Sequence, residues 1–507
     1  MFPLTVALER AARSFPLETA MVEEDGRAEN WSDHVDEVSR LAGALSGIGL
    51  AQGARFAILA PNSADQAKLI HAGYWSGRVP VPLNYRLALP ELAAILRKSG
   101  AQLLFVAPAF FDVARTLQAD GWDGRLFLLG PGRNGITGTE DLIARHSRYD
   151  PVRAATGDEA ILLFTGGTTG EGKGVPLTHG NVVSNAFQVI AALGSGPGDR
   201  YLHVAPMFHS ADLLGTAVTL AGGSHSYLAQ PSPVAIVDAL ESRNVTMTMA
   251  PPVLLDGIVR QGLAEGRALE RLRIFICGGS PVPFDLLDAA SAHFPSAALV
   301  QGYGLTETAP ILSFLHLPQV RAVGEAEALL SAGRPLAGVE MRLLDTDQHG
   351  AGELAVRGPN VFSGYLDRAA DTEAAFDDGW FRTGDAARFD AHGFLHILDR
   401  RKDVIITGGE NVYSTEVESV LLDHPAIVEA AVIGVPDPKW GERVAAVVVA
   451  APDAAIEPEA LSDHCRGRLG GFKLPREFRQ VDALPKSALG KTLKTELRKL
   501  FGDPLEV

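Results

Sequence analysis

Cysteine is almost missing: Cys277 and Cys465 are the only two in 507 residues. Two distant thiols build neither a disulfide framework nor a cysteine-based metal site, and a reducing cytosol fits them best. Positive charge is also short. Lys and Arg number 45 against 61 Asp and Glu, a formal net charge of −16. That balance argues against nucleic acid or an anionic membrane as a main partner, because both need a basic face. An anionic small molecule needs only a local cluster of cations. No run of 18 apolar residues occurs, so no transmembrane helix is expected. Internal repeats and low-complexity tracts are absent too. Near the start, Glu9 and Arg10 interrupt the apolar stretch, which makes a poor secretory signal. The stretch reads as an amphipathic helix through Leu4, Leu8, Ala11 and Ala12. Leu505-Glu506-Val507 is not a peroxisomal address. The expectation is a cytoplasmic protein, monomer or homodimer.

What is present is ordinary globular composition, 46% hydrophobic and 21% charged, in a length that predicts about three compact units. Short apolar runs bounded by Gly or Pro read as buried parallel strands: Arg55–Leu59, Leu103–Ala107, Ala160–Thr165, Met247–Ala250, Ile274–Cys277 and Leu299–Gln301. Helical periods lie between them, as in Leu89–Lys98 and Pro233–Arg243. The alternation predicts an α/β fold of layered sheets and helices. After about Gly333 the strands become short and polar-alternating (Val339–Leu344, Glu353–Arg357, Leu395–Leu398), as in a small barrel or antiparallel sheet. The charged stretch Asp399-Arg400-Arg401-Lys402-Asp403 marks a domain boundary. Beyond it come a helix at Ser414–Leu422, strands at Val428–Gly434 and Arg443–Ala450, a helix at Pro458–Arg468 and a basic tail helix.

The strongest local signal is Thr165-Gly166-Gly167-Thr168-Thr169-Gly170-Glu171-Gly172-Lys173-Gly174, directly after an apolar strand. Glycines let backbone N–H groups turn toward an anion, while Thr hydroxyls and a Lys add donors and charge. Such a loop suits a polyphosphate. It is not the P-loop of NTPases. Gly174 stands where that loop needs Ser or Thr, and Pro176 makes the following segment extended where a P-loop starts a helix.

The loop resembles the signature of the adenylate-forming superfamily, which includes acyl-CoA synthetases, peptide-synthetase adenylation domains and beetle luciferases. The family pattern is Thr-Ser-Gly-Thr-Thr-Gly-x-Pro-Lys-Gly. Gly167 here replaces the Ser and Gly172 the Pro, which predicts weaker or slower ordering of ATP without loss of activity. Four more family motifs follow in order, so the resemblance spans nearly the whole chain. In Gln301-Gly302-Tyr303-Gly304-Leu305-Thr306-Glu307-Thr308 it implies that Tyr303 stacks on adenine, Thr306 meets the α-phosphate and Glu307 ligates Mg²⁺. On chemistry alone Glu307 would read as a solvated cap. In Gly379-Trp380-Phe381-Arg382-Thr383-Gly384-Asp385 it implies that Asp385 accepts the ribose hydroxyls. In the run from Asp399 to Val412 it implies that Arg400 contacts ribose or phosphate, that Lys402 is a hinge, and that Gly408 and Gly409 line a pantetheine tunnel. In Leu484-Pro485-Lys486-Ser487-Ala488-Leu489-Gly490-Lys491-Thr492 it implies that Lys491 is the catalytic lysine. Without the family, Lys491 would read as part of a basic solvated face.

The same resemblance gives the nucleotide Gly278, Gly279, Ser280, Gly302, Gly304 and Ile397 besides the loop residues. It implies coenzyme A contacts at Arg86, Trp440 and Lys473. The implied domains are an adenylation domain at 1–399, a hinge at 400–403 and a mobile α+β lid domain at 404–507. Ala205-Pro206-Met207-Phe208-His209-Ser210 borders the acyl pocket by the same resemblance, with Gln188, Met249, Cys277, Ala309 and Pro310 as further lining. Amino-acid-activating relatives place an Asp where this chain has His209, which argues against an amino acid. The small, mostly apolar lining predicts a medium or long fatty acid or an aryl acid. The implied co-substrates are ATP with Mg²⁺ and coenzyme A. A carrier-protein phosphopantetheine thiol, a luciferase-like oxygenase and a non-catalytic nucleotide-binding protein are the competing readings.

Overall fold

The computed structural model describes residues 2–165, 172–280, 282–324, 327–452, 454, 456–486 and 492–501. Among them the chain forms two compact units, where length alone predicts three. The first takes in 2–165, 172–340 and 356–381, and the second 341–355 and 382–501. No helix among the described residues is long and apolar enough to cross a membrane.

Continuous apolar runs become strands with both faces covered. Phe56, Ala57, Ile58 and Leu59 are all fully buried, which is why Arg55–Leu59 shows no polar alternation. This strand sits with Val79–Pro82, Leu103–Val106 and Arg125–Leu128 in a four-stranded parallel sheet. A nine-stranded sheet carries six adjacent parallel strands in the order Ala298–Gly304, Ile274–Gly278, Met247–Ala250, Arg200–His203, Ser224–Tyr227 and Thr19–Val22. Antiparallel strands close both edges, Ile311–His316 and Arg334–Pro335 on one side and Ala28–Asn30 on the other. One expected parallel strand is not parallel: Glu159–Thr165 pairs antiparallel with Lys173–Thr178 in a separate two-stranded ribbon. An apolar run reports burial, not direction, and a hairpin buries it as well as a parallel sheet does.

The ribbon leads straight into helix His179–Leu193. Thr178 and Asn181 cap it reciprocally, each side chain accepting the other's backbone N–H at 3.1 and 3.0 Å. Nearby, four histidines from four elements, three of them buried and His71 half-buried, meet in pairs. His34 Nε2 lies 2.9 Å from His71 Nδ1, and His203 Nε2 lies 3.0 Å from His225 Nδ1. His203 Nδ1 also meets Asp212 Oδ1 at 2.5 Å. Gly215 has no side chain for a reason of space: a Cβ there would sit 2.7 Å from His203 Cε1.

In the second unit, residues 385–389 run antiparallel to Leu395–Arg400 with Asp385 opposite Arg400. A second sheet holds Glu410–Val412, Ile405–Thr407, Gly441–Ala450 and Ile427–Asp437, with Glu477–Gln480 added parallel to Gly441–Ala450. The two long strands are buried on both faces. Val432, Val444, Ala446 and Val448 pack with Val417, Leu421 and Leu461. Ala431, Ile433, Ala445 and Val447 pack with Leu484 and Leu497. The Asp399 carboxylate bonds the start of helix Ser414–Leu422, accepting from Ser414 N and Ser414 Oγ at 2.6 Å each. Thr415 Oγ1 donates to the Leu398 carbonyl beside it.

Candidate active site

Parallel strands leave their carboxyl ends at one edge of the sheet, the usual place for a ligand in an open α/β layer. Here that edge carries Gly278-Gly279-Ser280 and Gly302-Tyr303-Gly304-Leu305-Thr306-Glu307. Gly278 and Gly302 stand opposite one another. A Cβ on Gly278 would lie 2.5 Å from the Gly302 carbonyl oxygen, and one on Gly304 would lie 1.9 Å from the Pro310 oxygen. These glycines therefore let backbones close up, whatever they also do for a ligand. The turn after them is tight. Ala309 is buried at φ 59, a left-handed conformation that costs an alanine roughly 1–2 kcal/mol.

Glu307 is buried, 8% exposed. Its Oε1 accepts from the Tyr365 hydroxyl at 2.9 Å, and its carbonyl accepts from Phe362 N at 2.8 Å. Among the described residues its Oε2 accepts no hydrogen bond. Lys173 comes to the same tyrosine, with Nζ 4.7 Å from the ring centroid and 2.8 Å from Asp371 Oδ1. Arg368 bonds the other Asp371 oxygen at 3.1 Å. Lys173 and then Arg368 hold the Asp371 carboxyl below its ordinary range. Lys173 and Glu307 are thus brought together through Tyr365 and Asp371, neither of which the sequence motifs single out. Among the described residues no group of three or more His, Cys, Asp or Glu could hold a metal ion. A cation at Glu307 would complete its shell with ligand oxygens and water, as Mg²⁺ does at phosphate sites.

The acyl-pocket residues separate into groups. Ser210 Oγ lies 3.1 Å from Thr306 Oγ1, which joins the two motifs directly. His209 caps the turn Ser210–Leu214, its Nδ1 accepting from Ala211 N at 3.2 Å. Gln188 is buried in an amide ladder: Asn185 Nδ2 donates to its Oε1 at 3.0 Å, and its Nε2 reaches Asn360 Oδ1 at 3.3 Å. Asn360 Nδ2 continues to the Thr308 carbonyl at 2.8 Å. Met249 and Cys277, grouped as lining by sequence, lie on opposite faces of the sheet. Met249 pairs in register with Ile276 and shares its apolar cluster, so the next residue, Cys277, points the other way. Burial pushes the Cys277 thiol up to about 12, so it is no nucleophile. Arg86 lies beside the pocket segment, its guanidinium carbon 5.6 Å from the Tyr85 ring and 5.9 Å from that of Phe208.

In the second unit, Arg400 Nε pairs with buried Asp385 Oδ1 at 2.9 Å. Thr383 fixes the Asp385 backbone, with Oγ1 accepting from Asp385 N at 3.1 Å. Ile397 stands opposite Ala387 on the neighbouring strand. Lys402 is exposed in the turn Arg401–Asp403. Gly408 and Gly409 have φ 61 and 86. A Cβ on Gly408 would meet Trp440 Cε3 at 3.0 Å, so the indole packs close to the glycine. Lys439 Nζ and the Arg476 guanidinium stand 4.6 and 5.7 Å from the Trp440 ring. Lys473, a coenzyme A contact by the resemblance, pairs with Glu416 at 2.6 Å. Arg476, three residues past Lys473, is a cation beside Trp440 that the sequence motifs do not single out. Gly166, Gly167, Thr168, Thr169, Gly170 and Lys491 lie outside the described residues.

Two family models match this arrangement in chain order: AMP-binding enzyme over residues 8–366 and AMP-binding enzyme C-terminal domain over 416–491. The chain belongs to the AMP-binding enzyme family. Among AMP-binding enzymes it is similar to a feruloyl-CoA synthase of an Amycolatopsis species, 37% identical and covering 97% of this chain and 98% of the relative. It is 35% identical to the long-chain-fatty-acid–CoA ligase FadD13 of Mycobacterium tuberculosis, with 91% of each covered. Among solved AMP-binding enzymes, the o-succinylbenzoate CoA synthetase MenE of Bacillus subtilis, in complex with its acyl-adenylate intermediate, superposes with a TM-score of 0.86 at 31% identity. That match covers 98% of both chains.

Proposed function

We propose that the chain is an ATP-dependent acyl-CoA synthetase acting on a medium or long fatty acid or an aryl acid. The observation that carries this reading is the meeting of Lys173 and Glu307 on Tyr365 at the carboxyl edge of the parallel sheet. The relatives named above, a feruloyl-CoA synthase and a long-chain-fatty-acid–CoA ligase, support both substrate arms.

A carboxylate is already ionised near neutral pH, so its attack on the α-phosphate of ATP needs no general base. Pyrophosphate leaves and an acyl-adenylate forms. What the protein supplies is alignment and cationic surroundings. In this reading Lys173 meets the outer phosphates, Thr306 the α-phosphate, and Asp385 with Arg400 the ribose. Lys491 bridges the substrate carboxylate and the α-phosphate. Mg²⁺, held by Glu307, would neutralise phosphate charge. The coenzyme A thiol then displaces AMP from the acyl carbon. The lid domain, 404–507, turns about Lys402 to replace Lys491 by the thiol arm, a lid-type step. Trp440, Gly408 and Gly409 border that arm, with Arg86, Lys473 and Arg476 as cations for the nucleotide end.

The test is a panel of fatty, aryl and dicarboxylic acids assayed for AMP with ATP and Mg²⁺, with and without coenzyme A. AMP formation that requires an apolar acid and coenzyme A is expected. Adenylate that accumulates without passing to coenzyme A would move the second half-reaction to a carrier-protein thiol, and absence of pyrophosphate with every acid would leave a nucleotide binder. The two half-reactions also separate at Gly408. Gly408→Ala adds a Cβ against Trp440 at φ 61, at a strain of roughly 1–2 kcal/mol. Thioester formation is expected to fall about tenfold while single-turnover pyrophosphate release stays unchanged. A parallel fall in both steps would remove Gly408 from the thiol path.

A further inference from the structure

The segment from Phe362 to Thr372 is bound to the phosphate-side groups at several points. Phe362 N holds the Glu307 carbonyl at 2.8 Å, and Leu366 N donates to the Gly174 carbonyl at 2.9 Å, one residue from Lys173. Tyr365 N donates to Thr372 Oγ1 at 2.9 Å, closing the segment on itself. Gly364, at φ 150, permits that closure, since a Cβ there would lie 2.5 Å from Thr372 Cγ2. The tyrosine so fixed gives its hydroxyl to Glu307 Oε1 and its ring face to Lys173, while Asp371, six residues on, takes the Lys173 ammonium.

We infer that this segment is a counter-ion latch: Tyr365 positions Glu307 and Lys173 for the triphosphate, and Asp371 holds Lys173 until the phosphates of MgATP take its place. The inference rests on the synthetase reading for the roles of Glu307 and Lys173. The exchange is physically cheap. The Lys173 and Asp371 side chains are 33% and 34% exposed, so both charges keep contact with water, and such a pair is weak. A triphosphate carries several negative charges against one on Asp371 and outcompetes it. Asp371 released by the swap keeps Arg368 as its partner. AMP, which lacks the outer phosphates, does not drive the exchange.

The latch predicts an effect of opposite sign to that of a structural contact. Asp371→Asn in the full-length protein should tighten MgATP binding about two- to fivefold, the range of an exposed ion pair. AMP binding should not change, and Asp371→Glu should restore the original affinity. Tyr365→Phe keeps the ring under Lys173 but removes the Glu307 hydrogen bond. It should raise the Mg²⁺ concentration needed for half-maximal pyrophosphate release about fivefold, a loss of roughly 1 kcal/mol, with little change in MgATP affinity measured at saturating Mg²⁺. Calorimetric titration with MgATP and with AMP, alongside a thermal melt, reads the Asp371 effects, and pyrophosphate release titrated against Mg²⁺ reads the Tyr365 effect. Unchanged or weaker MgATP binding in Asp371→Asn at a normal melting temperature overturns the latch, and an unchanged Mg²⁺ requirement in Tyr365→Phe overturns the positioning role. Wild-type protein that binds MgATP, with the Asp371 binding effects but no adenylation of any acid, would overturn the synthetase reading and leave the latch standing. Wild-type protein that binds no MgATP overturns both.

Discussion

Glu307→Gln is expected to lower pyrophosphate release by about 10²–10³-fold, the cost of removing one preorganised charge from a site where charge develops. The change is close to isosteric. A glutamine keeps an oxygen to accept from the Tyr365 hydroxyl, and the backbone bond from Phe362 is untouched. What disappears is the negative charge beside Oε2, which a hard cation needs. The loss should therefore fall on turnover and on Mg²⁺ dependence, not on stability, and raising Mg²⁺ should recover part of it. A melting temperature within about 2 °C of wild type would exclude misfolding as the cause. Activity within a few-fold of wild type at low Mg²⁺ would mean that the cation is held elsewhere.

Acid will unfold this protein early. Burial pushes His71 and His225 well below the ordinary histidine range, lowers His34, and brings His179 to about 4. Each of these groups binds a proton less readily folded than unfolded. Stability is therefore full above the unfolded value near 6.5 and is lost as pH falls below it. Glu29 opposes the shift at His34, and the neighbouring imidazoles deepen it at His71 and His225. At pH 5 keeping His179 neutral costs about 2 kcal/mol, and His71, His225 and His34 act in the same direction. The urea midpoint should drop steeply between pH 7 and pH 5, and His71→Gln should flatten the slope by about one proton. A midpoint independent of pH over that range would show that these imidazoles gain protons without unfolding.

Much of this was legible in the sequence because the site lies where strands end. Ile274–Gly278 and Ala298–Gly304 are apolar runs that stop at glycines, and both the run and its punctuation can be read from residue types. Helix Ser414–Leu422 falls at the expected bounds because its apolar period and its neighbours are local. What escaped depends on contacts between distant parts of the chain. Tyr365 is 58 residues from Glu307 and Asp371 is 198 from Lys173, and nothing in Gly364-Tyr365-Leu366-Asp367-Arg368 signals either partner. Strand Glu477–Gln480 is polar and exists because Gly441–Ala450 offers it an edge. Met249 and Cys277 were grouped by position along the chain, but the pleat of the sheet sorts residues by parity, and only the register between the two strands shows which face each takes.

Asp399 and Leu398 hold the first residues of helix Ser414–Leu422 from the far side of residues 400–403. If Lys402 is the pivot, every turn that carries the helix away from the strand must first undo that stitching. The pivot is then a ratchet with a waiting time, not a loose tether. The lifetime of this arrangement would then be set by that handful of polar contacts. A reactive acyl-adenylate would be kept covered for as long as that joint holds, and the order of the two half-reactions would be enforced by timing as well as by the thiol's affinity.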